Sequence, residues 1–163
     1  KKIDQGMSSM AELRRNIDKA EGARASRGNL LFGRKKDIEV SSSYSTYTYQ
    51  SDLEQRDKMF DGIVDVSAWK PVPQNELWYE LAFTKFLPKF SKARVYGYGL
   101  EGMTFKIKKR GEWLEPKAVR KTEKYSLELD FGESLSSVSV RLDFVMPKDR
   151  KEMVELYEIE LLE

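Results

Sequence analysis

The chain has 163 residues, 29 Lys and Arg against 27 Asp and Glu, a net charge of +2 and an apolar share of 40%. That length suits one domain with a sizeable core and a short appendage, and the dispersed, balanced charge speaks against nucleic acid as a partner. No window reaches the roughly 18 apolar residues of a membrane span, and His and Cys are absent, which removes disulfides, the commonest general base and the commonest zinc ligand together. The chain starts at Lys1 without a signal-peptide pattern, which fits either a mature chain or a fragment of a longer one.

Residues 1–28 read as an appendage, a helix followed by a linker. Ser9-Met10-Ala11-Glu12 has capping-box spacing, in which hydroxyl and carboxylate satisfy free amides at a helix start. Met10, Leu13, Ile17 and Ala20 follow as one apolar stripe, and Gly22 offers a stop. So short a helix needs something to pack on. The expected support is its own domain or a neighbouring domain or protein; an oligomerisation helix is the alternative, disfavoured because the stripe covers too few heptads.

From Asp37 onward helical spacing gives way to alternation. Leu77, Tyr79, Leu81 and Phe83 form one apolar face, Met103, Phe105 and Ile107 a second, Tyr125, Leu127, Leu129 and Phe131 a third, and Val138, Val140, Leu142 and Phe144 a fourth. Turns are expected at Lys109–Glu112, Phe131–Glu133 and Met146–Asp149. Short strands at this spacing predict an all-β, antiparallel sandwich.

Between the first two strand regions lies Met59-Phe60-Asp61-Gly62-Ile63-Val64-Asp65-Val66-Ser67-Ala68-Trp69. Gly62 permits a sharp turn, Asp61 and Ser67 supply short oxygen side chains, and Phe60 and Trp69 bracket the loop as apolar pegs. No catalytic constellation accompanies it. Without His or Cys the usual nucleophile–base pairs are missing, and the carboxylates mostly alternate with strand hydrophobics, as on a solvated face. Tyr96–Gly102 contains three glycines but precedes a strand rather than a helix, so it reads as a strand end and loop, not a phosphate cradle. The chain is therefore read as non-catalytic.

Four stretches in register carry a resemblance. Asn29-Leu30-Leu31-Phe32-Gly33-Arg34-Lys35-Lys36-Asp37-Ile38-Glu39-Val40-Ser41-Ser42-Ser43-Tyr44, the Phe60–Trp69 loop, Leu77–Phe83 and the closing Leu156-Tyr157-Glu158-Ile159-Glu160-Leu161 together resemble the galactose-binding-like (discoidin, factor V/VIII C-type) β-sandwich, including family 32-type carbohydrate-binding modules. The resemblance spans residues 29–163 and implies an eight-strand jelly roll as the main domain, preceded by the helix. It further implies a carbohydrate-binding accessory module of a larger extracellular or cell-surface protein, with a glycan or polysaccharide as partner. The alternative is a structural or protein-interaction domain of a large enzyme, virion or surface assembly, with no sugar ligand.

Two sets of site residues follow from the same resemblance. A structural Ca²⁺ behind the Asp-Gly loop would use Asp61, Ser67 and Glu158, oxygen donors of the kind a hard cation prefers. Capping of the turn by Asp61 and Ser67 through nearby amides is the competing account. The sugar site would lie on loops at one end of the sandwich, with Tyr44, Tyr47, Tyr49, Trp69, Lys70, Tyr98 and Glu101 as candidates: a ring covers the apolar face of a pyranose while polar groups bond its hydroxyls. Each ring also fits a core position, Trp69 as an inward peg, Tyr47 and Tyr49 on one strand face. Membrane attachment, known among relatives of the clotting and discoidin-receptor kind, ranks third and is not expected here.

Overall fold

The computed structural model describes residues 28–43, 59, 69–71, 75–145 and 154–163. The expected N-terminal helix, Tyr44, Tyr47, Tyr49, Asp61, Ser67 and the turn at 146–149 lie outside them. The described chain is almost wholly β, as the alternation predicted. A 3-10 turn at Lys35–Asp37 leads into β1 (Ile38–Ser42), followed by β2 (Leu77–Phe83), β3 (Lys89–Tyr98), β4 (Thr104–Lys109), β5 (Glu112–Leu114), β6 (Val119–Thr122), β7 (Ser126–Ser136), β8 (Ser139–Phe144) and β9 (Glu155–Leu162).

These strands form two antiparallel sheets. One has the order β1-β2-β8-β4-β5, the other β6-β7-β3-β9. The inward faces are those the period-2 pattern marked: Leu77, Tyr79, Leu81 and Phe83 from β2, Phe105 and Ile107 from β4, Leu127, Leu129 and Phe131 from β7, and Val140, Leu142 and Phe144 from β8 are all buried. Phe90 of β3 and Phe131 of β7 meet Phe105 of β4 across the sandwich, with ring centroids 5.2–6.1 Å apart, so aromatic contacts join the two layers.

Three sequence expectations change. Val138 is 56% exposed because it sits in the β7–β8 turn, where its carbonyl accepts the Phe83 N–H and the side chain is left outside. Tyr125 is 49% exposed because it precedes β7 rather than lying on its inner face. The expected turn at Phe131–Glu133 is an irregularity within β7: Gly132 takes φ 68°, its N–H donates to Asp130 Oδ1, and the register against β3 slips there.

β9 is closed on its outer flank by two separate pieces of chain. The carboxamide of buried Asn29 accepts the Leu31 and Leu161 N–H groups and donates to the Ile159 carbonyl, which ties the start of the domain to its last strand. Further along, Trp69 and Leu156 exchange both backbone hydrogen bonds, at 3.1 and 3.0 Å.

Candidate glycan-binding site

The pairing brings several loops to one end. Ser42 at the end of β1 pairs with Tyr79, Leu77 at the start of β2 with Phe144 at the end of β8, and Thr104 at the start of β4 with Asp143. Since β3 reaches β4 through residues 99–103 alone, Tyr98 belongs to the same end, where it pairs with Glu155 at the start of β9. Lys70 arrives beside it, adjacent to the Trp69–Leu156 bridge.

Tyr98 points away from the core and is half-buried. Its ring lies 6.2 Å from that of Tyr125, centroid to centroid, with the planes tilted by 36°. Lys124 Nζ stands 5.3 Å from the Tyr125 centroid, within cation–π range. On the other side, the Tyr157 hydroxyl donates to Glu155 Oε2 at 3.2 Å, and Lys70 Nζ lies 3.3 Å from Oε1 of the same carboxylate. Burial, then the negative charge of Glu155 and its hydrogen bond, push the Tyr157 phenol up to about 12, with Tyr125 and Tyr98 close enough to add to the shift. Three tyrosines and a Lys–Glu pair thus form one cluster at the loop end. The arrangement offers ring surface together with a carboxylate and an ammonium, which suits a ligand with an apolar face and hydroxyl edges.

A β-bulge makes this placement possible. Tyr96 pairs with Glu158 but Gly97 pairs with Leu156, so Tyr157 is the extra residue on β9. A Cβ at Gly97 would run into the Glu155 carbonyl oxygen, so glycine permits the close approach of the strands there.

The sequence-derived residues divide. Lys70 and Tyr98 come together through Glu155 and Tyr157. Glu101 lies in the adjoining β3–β4 loop with its side chain exposed, and Arg120 braces that loop by donating to the Met103 and Glu101 carbonyls at 2.9 and 3.4 Å. Trp69 is a correction: it is fully buried, edge-on to Tyr79 at 5.4 Å and 5.5 Å from Phe144, and presents no face to a ligand. Its two-way backbone bridge to β9 aligns it with the sheet and turns the indole inward. Glu158 is fully buried on β9, opposite Tyr96 and two residues from the Trp69 bridge. Sequence reasoning missed Lys124, Tyr125, Glu155 and Tyr157; the bulge that places Tyr157 depends on cross-strand register, which strand periodicity does not reveal.

Neither a family model nor a curated protein sequence matches the chain. Solved structures do match it by shape. The Clostridium perfringens module CpGH89CBM32-6 superposes with a TM-score of 0.58 at 16% identity, over 78% of this chain and 94% of that one. The family 32 carbohydrate-binding module of C. perfringens NanJ, solved with galactose, gives 0.59 at 9%, over 79% and 96%. Chitosan-binding module 1 of the Paenibacillus sp. IK-5 chitosanase/glucanase gives 0.61 at 13%, over 83% and 98%. The chain has the galactose-binding-like β-sandwich fold. At these identities the likeness is one of architecture, shared nearly end to end with those modules.

Proposed function

We propose that this chain is a non-catalytic carbohydrate-binding module, an accessory domain of a larger secreted or cell-surface protein. The observation that carries the reading is the Tyr98–Tyr125–Tyr157 cluster with its Lys70–Glu155 pair at the loop end. The exposed flank of Tyr125 and the half-exposed ring of Tyr98 would cover a pyranose face, while Glu155, Lys70 and Lys124 would bond its hydroxyls. The similarity in shape to modules solved with galactose or named for chitosan supports the same reading. Such a module acts by tethering: a linked site raises the effective concentration of its parent protein near a polysaccharide.

A glycan-array screen of the chain, with and without Ca²⁺, tests this. Binding that falls about tenfold or more in Tyr98→Ala or Tyr125→Ala, with the unfolding midpoint retained, is the expected result. Absence of binding to any glycan in either buffer would reject the proposal. The competing reading, a protein-interaction domain, draws on the burial of Trp69, but it expects the other candidate rings to be buried too, and Tyr98, the other candidate ring among the described residues, is only half-buried.

We further propose a structural Ca²⁺ held by Asp61, Ser67 and Glu158. Among the described residues no group of three metal-binding side chains forms, and Glu158 is the described member of the set. The carboxylate of Glu158 is fully buried on β9, and its oxygen chemistry, with an Asp and a hydroxyl, suits a hard cation. Ca²⁺ should raise the unfolding temperature, chelation should reverse the rise, and Glu158→Gln and Asp61→Asn should each abolish it. No shift on adding Ca²⁺ would exclude the site.

A further inference from the structure

Away from the tyrosine cluster, one side of the sandwich is left open between its two short edge strands. All four residues of β6 are exposed, with Val119 at 75%, and β6 pairs with β7 alone among the described strands. Across the gap, β5 ends the other sheet with Leu114 at 45% exposure. Between them opens a groove of about 260 Å³, floored by the core residues Phe105 and Leu129 and walled by Glu115, Pro116, Lys117, Ala118 and Arg120, so that two cations and one carboxylate line it. The stretch Lys117-Ala118-Val119-Arg120-Lys121-Thr122-Glu123-Lys124 carries four cations and one carboxylate, in a chain whose total charges nearly balance.

We infer that β6 receives an extended acidic segment of a partner polypeptide as an added strand, with one of its apolar side chains seated in the groove. An edge strand presents unpaired backbone donors and acceptors to any strand that can approach. Charge selects which strand does. A second copy is disfavoured: antiparallel self-pairing would set Val119 against Thr122 and Arg120 against Lys121, and a one-residue slip sets Lys121 or Arg120 against itself. Like charges directly opposite destabilise a ladder. A segment alternating carboxylates with apolar residues meets the reverse situation. Its carboxylates face Lys117 and Lys121, and its alternate side chains point to the Phe105–Leu129 floor. Arg120, already donating to two loop carbonyls, closes the inner end of the groove.

The test uses the full chain without glycan, so it is independent of the proposed sugar site. The probe is a fluorescent peptide of about eight residues alternating Glu and Val, a length typical of a strand. Saturable binding that weakens with salt is expected, with slowed amide exchange confined to residues 117–122. The charge-reversed variant Lys117→Glu/Lys121→Glu should lose about tenfold in affinity while keeping its unfolding midpoint. If that variant does not fold, amide exchange of the unmodified chain with and without the probe decides the matter. Failure of the acidic probe to bind, equal binding of a Lys–Val probe, protection elsewhere, or dimerisation of the chain through β6 would each overturn the inference.

Discussion

Two groups of three aromatic residues lie at the same end of the sandwich with opposite fates. Tyr79 and Phe144 both pack against Trp69 between the sheets, with Trp69 and Tyr79 fully buried. Tyr98, Tyr125 and Tyr157 stand on the outside, in contact with charged side chains and water. Strands β3 and β9 separate the groups, and Leu156 bridges Trp69 while its neighbours Glu155 and Tyr157 serve the outer cluster. Residue type does not distinguish the groups. What differs is the side of the sheet containing β3 and β9 on which each ring lies, and so whether its area is withdrawn from water for stability or left available to a ligand.

Substitutions should separate these roles, and the largest effect belongs to the inner group. Trp69→Ala removes a fully buried ring and should lower the unfolding free energy by about 3–5 kcal/mol in denaturant titrations. If it left stability untouched and removed only glycan binding, the inner and outer assignments would be reversed. Gly97→Ala strikes the boundary itself, because its Cβ collides with the β9 backbone at the bulge. It should cost about 1–3 kcal/mol and weaken glycan binding together with stability, by displacing Glu155 and Tyr157. An outer change such as Tyr98→Ala or Tyr125→Ala should cost under about 1 kcal/mol, read as an unfolding midpoint close to that of the unmodified chain.

The smallest effect is a pH dependence of the outer group. The Tyr157 phenol is raised from 10.0 to about 12 in the folded chain, first by burial and then by Glu155. Its contribution to stability is therefore complete below pH 10 and is lost as the pH rises through 12, because the unfolded chain gives up that proton first. Tyr157→Phe should flatten the fall in unfolding free energy over this window. Tyr96, also raised by burial and by Glu160, should leave a residual slope of the same sign.

The inner group was largely readable from sequence. Tyr79 and Phe144 fall on strict alternation with Leu77, Leu81, Val140 and Leu142, and a strand with one buried face admits no other register. The outer group was read only in part. Tyr98 and Lys70 stand out in the sequence, but Tyr125 shares the alternation of Leu127, Leu129 and Phe131, and periodicity cannot show that the strand begins one residue later. Glu155 and Tyr157 gave no local signal, since their placement beside Tyr98 follows from β9 pairing with β3, more than 50 residues earlier in the chain.

By itself, then, the amino-acid sequence determined the all-β class, the buried faces of the strands and the absence of His- or Cys-based chemistry. These depend on residue type and on a period of two, both local properties. Strand order, the bulge opposite Gly97 and the inward turn of Trp69 were decided only in the tertiary structure. Each arises from backbone pairing between distant segments, and that pairing alone determines which rings reach the solvent.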